Sequence, residues 1–84
     1  MAIVEKITPN QVKLMRLLLE LNREIPRKEI ITNIKLNPTS LQFAIKPIEG
    51  YFLNVKKIGN KDLLSLTVAG KMVIRAFNLA NKNV

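Results

Sequence analysis

Apolar residues recur along this chain at helical spacing in four segments and at strand spacing in two. In the first segment Val12, Leu14, Met15, Leu18 and Leu19 line one broad face with Leu21 at its edge, which predicts a helix over 8–22. Its start is well signalled. Thr8 suits the N-cap, Pro9 the first helical position and Gln11 the reciprocal partner of a capping box, while Ile7 and Val12 form a hydrophobic staple. Leu17 points away from that face, as an edge-packed core residue or as a dimer contact.

A shorter helix is predicted over 26–34, with Pro26 where a missing N–H costs little and Ile30, Ile31 and Ile34 turned inward. A very short strand near 24–25 would fit ahead of it. The turn that follows contains no glycine, so Asn33 or Asn37 is expected to take the unusual backbone geometry and Leu36 to plug the core. Asn37 then caps a third helix over 38–48, with Pro38 at its first position and Leu41, Ala44, Ile45 and Ile48 on one side. Pro47 cannot offer the N–H owed to the Phe43 carbonyl, so this helix ends or kinks near 46–48.

Beyond Gly50 the period shortens. Strands are predicted over 52–58 and 63–66, joined by a loop through Gly59, Asn60, Lys61 and Asp62. Thr67 caps a last helix over 68–81. Val68, Ala69, Met72, Val73, Ala76, Leu79 and Ala80 share one of its sides, and Lys71, Arg75, Asn78 and Lys82 the other. Ile74 and Phe77 flank the polar stripe, half accounted for by a core, and are candidates for a partner surface together with Leu17.

The order of helix, helix, turn, helix, hairpin and helix resembles the winged helix-turn-helix family. The stretch "RKEIITNIKLNPTSLQFAIKPIEGYFL" matches its helix, turn, recognition helix and first wing strand. "DLLSLTVAGKMVI" is similar to the second wing strand running into a Leu-Thr-x-x-Gly segment, as in MarR-like regulators. The implied fold is α+β: a three-helix core, a β-hairpin wing and a C-terminal helix in one 84-residue domain. Two features depart from the family pattern: Pro47 within the recognition helix, and lysines where the wing tip often carries arginine.

Composition narrows the chemistry. Without cysteine or histidine the chain has no thiol nucleophile, no zinc-thiolate site and no imidazole base. It has no glycine-rich phosphate loop and no carboxylates paired at useful spacing, so no enzyme, metal or cofactor is expected. No apolar run approaches membrane-span length, and the N-terminal segment lacks a secretory pattern, so the expected location is cytoplasmic and away from membranes. The net charge of +8 points to a polyanion, and residues 43–84 carry the larger share, seven basic against two acidic.

These strands of evidence converge on double-stranded DNA. The resemblance implies that the third helix enters the major groove, with Thr39, Ser40, Gln42, Phe43 and Lys46 as its reading set. Gln can pair with adenine, Lys approach guanine, and a Thr methyl or Phe pack on thymine. Lys56, Lys57 and Lys61 on the wing, with Arg27 and Lys28 at the start of helix two, would hold the phosphate backbone. Each has a plainer reading: Phe43 folded against the wing as core, the lysines as solvated charges that keep an edge strand from pairing. The expected function is a small, sequence-specific transcriptional regulator, as a monomer or a homodimer. In this family helices one and four usually form the dimer surface, which here brings in Leu17, Ile74 and Phe77. The alternative is a winged helix that binds a protein partner in a larger assembly, anchored by exposed apolar residues such as Phe43.

Overall fold

The structure, a computed structural model, describes residues 7–82; the N-terminal segment weighed above lies outside them. In chain order the elements are α1 (Pro9–Leu21), β1 (Ile25–Pro26), α2 (Arg27–Ile34), α3 (Pro38–Ile45), β2 (Leu53–Ile58), β3 (Lys61–Leu66) and α4 (Val68–Lys82). The three strands form one antiparallel sheet in the order β1-β3-β2.

Helix α1 starts as its sequence dictates. The Thr8 hydroxyl accepts from the Gln11 N–H at 3.2 Å, and the Gln11 side chain accepts from the Thr8 N–H at 3.0 Å. The helix stops at Asn22 in the left-handed region, whose N–H donates to the Leu18 carbonyl. Leu14, Met15 and Leu18 are sealed in the core with Ile25, Ile30, Leu41, Ile45, Leu53 and Leu64. Leu17 is half-buried and packs at the edge of that core.

Pro26 belongs to β1 rather than to a helix, pairing with Leu63 as Ile25 pairs with Leu64. A strand of only two residues suits proline, which has no ladder N–H to give. The turn between α2 and α3 also departs from expectation. Lys35, not an asparagine, takes the left-handed geometry (φ 55°), its N–H donating to the Ile31 carbonyl. Leu36 is half-buried rather than a full plug.

Asn37 caps α3 as anticipated, its Oδ1 accepting from the Ser40 N–H at 2.7 Å. Leu41, Ala44, Ile45 and Ile48 are buried. Regular helix ends at Ile45, earlier than the predicted 48, and the next residues form a tight turn. Its hub is the Ile48 carbonyl, which accepts from the N–H groups of Tyr51, Phe52 and Leu53. The hairpin turn holds two residues, Gly59 and Asn60, not four, because Lys61 and Asp62 already pair with Ile58 and Lys57. Gly59 supplies the positive φ (60°) that such a short turn needs.

The largest departure is α4. Its core side is Gly70 and Ile74, with Val73 and Phe77 packed beside them. Ile74 is 0% exposed, so it cannot serve as a partner surface. Of the side expected to be core, Val73 packs inward but the rest faces outward: Val68 is 76% exposed, Met72 65% and Leu79 67%. The physical reason lies at the junction before the helix. A Cβ on Gly70 would stand 2.2 Å from the Phe52 carbonyl oxygen, so only glycine lets the helix seat there. Thr67 fixes the rotation, its hydroxyl accepting from the Gly70 N–H at 2.9 Å and donating to the Tyr51 carbonyl at 2.7 Å. With Gly70 turned inward, the residues one turn on, Val73 and Ile74, follow it.

Candidate nucleic-acid interface

The short turn at Lys35 sets α2 and α3 in succession, and burial of Leu41, Ala44 and Ile45 fixes how α3 is rotated. The residues left outside are then determined. Thr39, Gln42, Phe43 and Lys46 are all exposed, and Ser40 is half-buried with its N–H spent on the Asn37 cap. Phe43 is 73% exposed, so it does not fold against the wing as core. Tyr51, just past the end of α3, is similarly open at 72%. The exposed side of the helix thus presents a hydroxyl, a carboxamide, an aromatic ring and an ammonium group.

The wing follows from strand alternation. Leu53, Val55 and Lys57 on β2 pair with Leu66, Leu64 and Asp62 on β3, and the buried leucines mark this face as inner. Lys56 and Lys61 lie on the opposite face, with Asn54, Ile58, Leu63 and Ser65. The three wing lysines, all exposed, are therefore divided between two faces.

Asp62 is the functional neighbour that reading the sequence missed. The Arg27 Nε donates to its Oδ2 at 2.8 Å, both side chains mostly buried (28% and 22% exposed). Arg27 is thus first a brace between the start of α2 and the wing, with part of its charge compensated, whereas Lys28 beside it is exposed. A two-residue turn at Gly59 and Asn60 was the available signal, since it places Asp62 on the inner face opposite Lys57. Between the start of α2 and the wing turn lies an open cleft of about 630 Å³, lined by Pro26, Arg27, Lys28, Glu29, Asn60, Lys61 and Asp62. Glu29 is engaged by Arg23.

Leu17 and Phe77 lie elsewhere on the molecule. Arg16 sits over the Phe77 ring, 5.5 Å from its centroid, and its Nε donates to Asn78 Oδ1 at 2.7 Å, tying α1 to α4. Among the described residues no three His, Cys, Asp or Glu side chains gather into a metal-binding group. Among the same residues no helix is long and apolar enough to cross a membrane.

A helix, a short turn, a second helix with its outer side exposed, and a β-hairpin packed beside them define a winged helix-turn-helix fold. The crystal structure of MepR, a transcription regulator of the Staphylococcus aureus multidrug efflux pump MepA, shares it. The two superpose with a TM-score of 0.82 at 14% sequence identity, over 93% of this chain and 60% of MepR. The chain thus spans less than two thirds of that protein's length. No protein-family model and no curated protein sequence matches it.

Proposed function

We propose that this chain binds double-stranded DNA and acts as a transcription regulator, with α3 in the major groove and the wing on the sugar-phosphate backbone. One observation carries the reading. The outer side of α3 exposes Thr39, Gln42, Phe43 and Lys46, beside a hairpin whose lysines are likewise exposed. Gln42 and Lys46 have the donors and acceptors to read adenine and guanine edges, and Phe43 with Thr39 the apolar surface for a thymine methyl. Ser40 serves near the start of the helix. Lys56 and Lys61 hold phosphates from the wing's outer face, Lys57 from its inner face, and Lys28 and Arg27 from the start of α2. The net charge of +8 fits a polyanionic partner. Likeness to a transcription regulator supports the reading at the level of fold. A homodimer would set two such helices on half-sites about one helical turn apart.

The test is fluorescence anisotropy of a random-sequence duplex titrated with the protein at two salt concentrations, beside a Lys56→Ala/Lys57→Ala/Lys61→Ala variant. Binding that weakens with added salt and in the variant is the expected result. No binding at low salt would reject it. The weight would then pass to a protein partner, which the exposed rings of Phe43 and Tyr51 favour.

A further inference from the structure

The outward residues of α3 come in rungs, and the rungs stop at both ends. Thr39, then Gln42 with Phe43, then Lys46 follow one another at helical spacing on the exposed side. One turn before Thr39 the chain is still in the turn at Lys35, with its left-handed backbone, and Asn37 serves only as the cap. One turn beyond Lys46 the next central position falls on Gly50. It has no side chain, and its positive φ (84°) takes the backbone out of the helix. Beside it stands Glu49, whose N–H still donates to the Ile45 carbonyl at 2.9 Å. That bond holds Glu49 at the end of α3, exposed, on the same edge as Gln42 and roughly 70° off the mean direction of the rungs. A missing side chain and a carboxylate thus follow the last ammonium group.

We propose, resting on the DNA-binding reading above, that α3 reads about three successive base pairs and that Glu49 bars a fourth. From Thr39 to Lys46 the helix advances roughly 10 Å, and duplex DNA rises about 3.4 Å per base pair. Zinc-finger helices, with contact residues at similar spacing, likewise meet three successive bases. Thr39 then stands at one end of the triplet, Gln42 and Phe43 in its middle and Lys46 at its other end. A glutamate centred in the groove could accept from a cytosine amino group. Glu49 is set to the edge instead, toward the phosphates that flank the groove, and it has no hydrogen to donate to them. Like charges repel there, so Glu49 closes the end of the reading surface.

The test scans single base-pair changes through a duplex selected for tight binding, with anisotropy read for the wild type, Thr39→Ala, Lys46→Ala and Glu49→Gln. In the wild type, changes at three consecutive pairs, once for each copy bound, are expected to lower affinity about 5- to 150-fold, and changes at the flanking pairs less than about twofold. Thr39→Ala flattens the preference at one end of the triplet and Lys46→Ala at the other. Glu49→Gln raises affinity for random duplex severalfold and leaves the preferences of the triplet as they were. A fourth contiguous pair as sensitive as the three, a Glu49→Gln variant that loses preference at one pair, or one whose random-duplex affinity is unchanged would each overturn the proposal while DNA binding stands. Absence of binding to any duplex would instead overturn the DNA reading, and the three-pair limit with it.

Discussion

The Gln11 side-chain amide donates to the Ala44 carbonyl across 3.2 Å of buried space. That bond closes the end of α3. Pro47 stops α3, and the Ile48 N–H donates to the Ile45 carbonyl instead of continuing the ladder to Ala44. The Ala44 carbonyl would then be a buried acceptor without a helical donor. Gln11 supplies one while its Oε1 completes the cap of α1, so one residue joins the start of α1 to the end of α3.

Substitution of Gln11 is accordingly expected to cost more than the loss of a cap. Gln11→Leu keeps the volume but orphans the Ala44 carbonyl and opens the capping box, for a loss of about 1–3 kcal/mol. Gln11→Glu is worse, because a carboxylate would face the carbonyl with no hydrogen to donate. Urea denaturation of the two variants should rank them in that order. A neutral Gln11→Glu would refute the role assigned to the buried amide.

Gly70→Ala sets two effects against each other. Alanine favours a helix interior by about 1 kcal/mol over glycine. Against it stands a Cβ placed 2.2 Å from the backbone oxygen of Phe52, which cannot swing aside as a side chain could. Overpacking at backbone costs about 1–3 kcal/mol or more, so the net result is destabilisation. Thermal melting reads the sign directly, and a raised Tm would show that the wing base yields.

Much of this arrangement was legible in the chain. The caps at Thr8 and Asn37, the inward set Leu41, Ala44, Ile45 and Ile48, and the order of elements all follow from local rules that the fold leaves intact. The rotation of α4 was not legible. Its apolar residues extend over more than one side, and the choice of which turns inward rests on long-range contacts, Gly70 against Phe52 and Thr67 against Tyr51. The Arg27–Asp62 brace was hidden for a similar reason, since 35 residues separate its partners and only the strand register joins them. Among the proposed DNA-binding residues, exposure followed from the helix period, while the split of the wing lysines between two faces required the hairpin register.

Lys35 holds a left-handed backbone (φ 55°) that glycine adopts at no steric cost. A non-glycine residue gives up roughly 1–2 kcal/mol there, of which glycine's greater unfolded-state freedom takes back part. Lys35→Gly is therefore expected to stabilise the protein by up to about 1 kcal/mol, or roughly 4–8 °C in Tm for a domain of this size. Lys35→Val should destabilise it, because a β-branched side chain tolerates this region least. Differential scanning calorimetry of the pair would show the two shifts with opposite signs.

The wing lysines are expected to differ in their contribution to DNA affinity. Lys57 stands opposite Asp62 on the inner face, near the Arg27 brace, whereas Lys56 and Lys61 face outward without that acidic neighbour. Each phosphate contact adds about one unit to the slope of log affinity against log salt. Lys56→Ala and Lys61→Ala should each lower the slope by about one, and Lys57→Ala by less. Equal losses at all three positions would mean that the duplex straddles both faces of the hairpin.

Phe43 separates stability from recognition. At 73% exposure its ring contributes little to the core, so Phe43→Ala should change the unfolding free energy by no more than about 0.5 kcal/mol. If the ring packs on a thymine methyl in the groove, the same substitution weakens binding to the preferred site by about 1–3 kcal/mol and leaves random-sequence affinity nearly unchanged. The measurement pairs selection of preferred duplexes with anisotropy on selected and random DNA. A uniform loss on both would place Phe43 outside base recognition, and a large loss of stability would place it in the core.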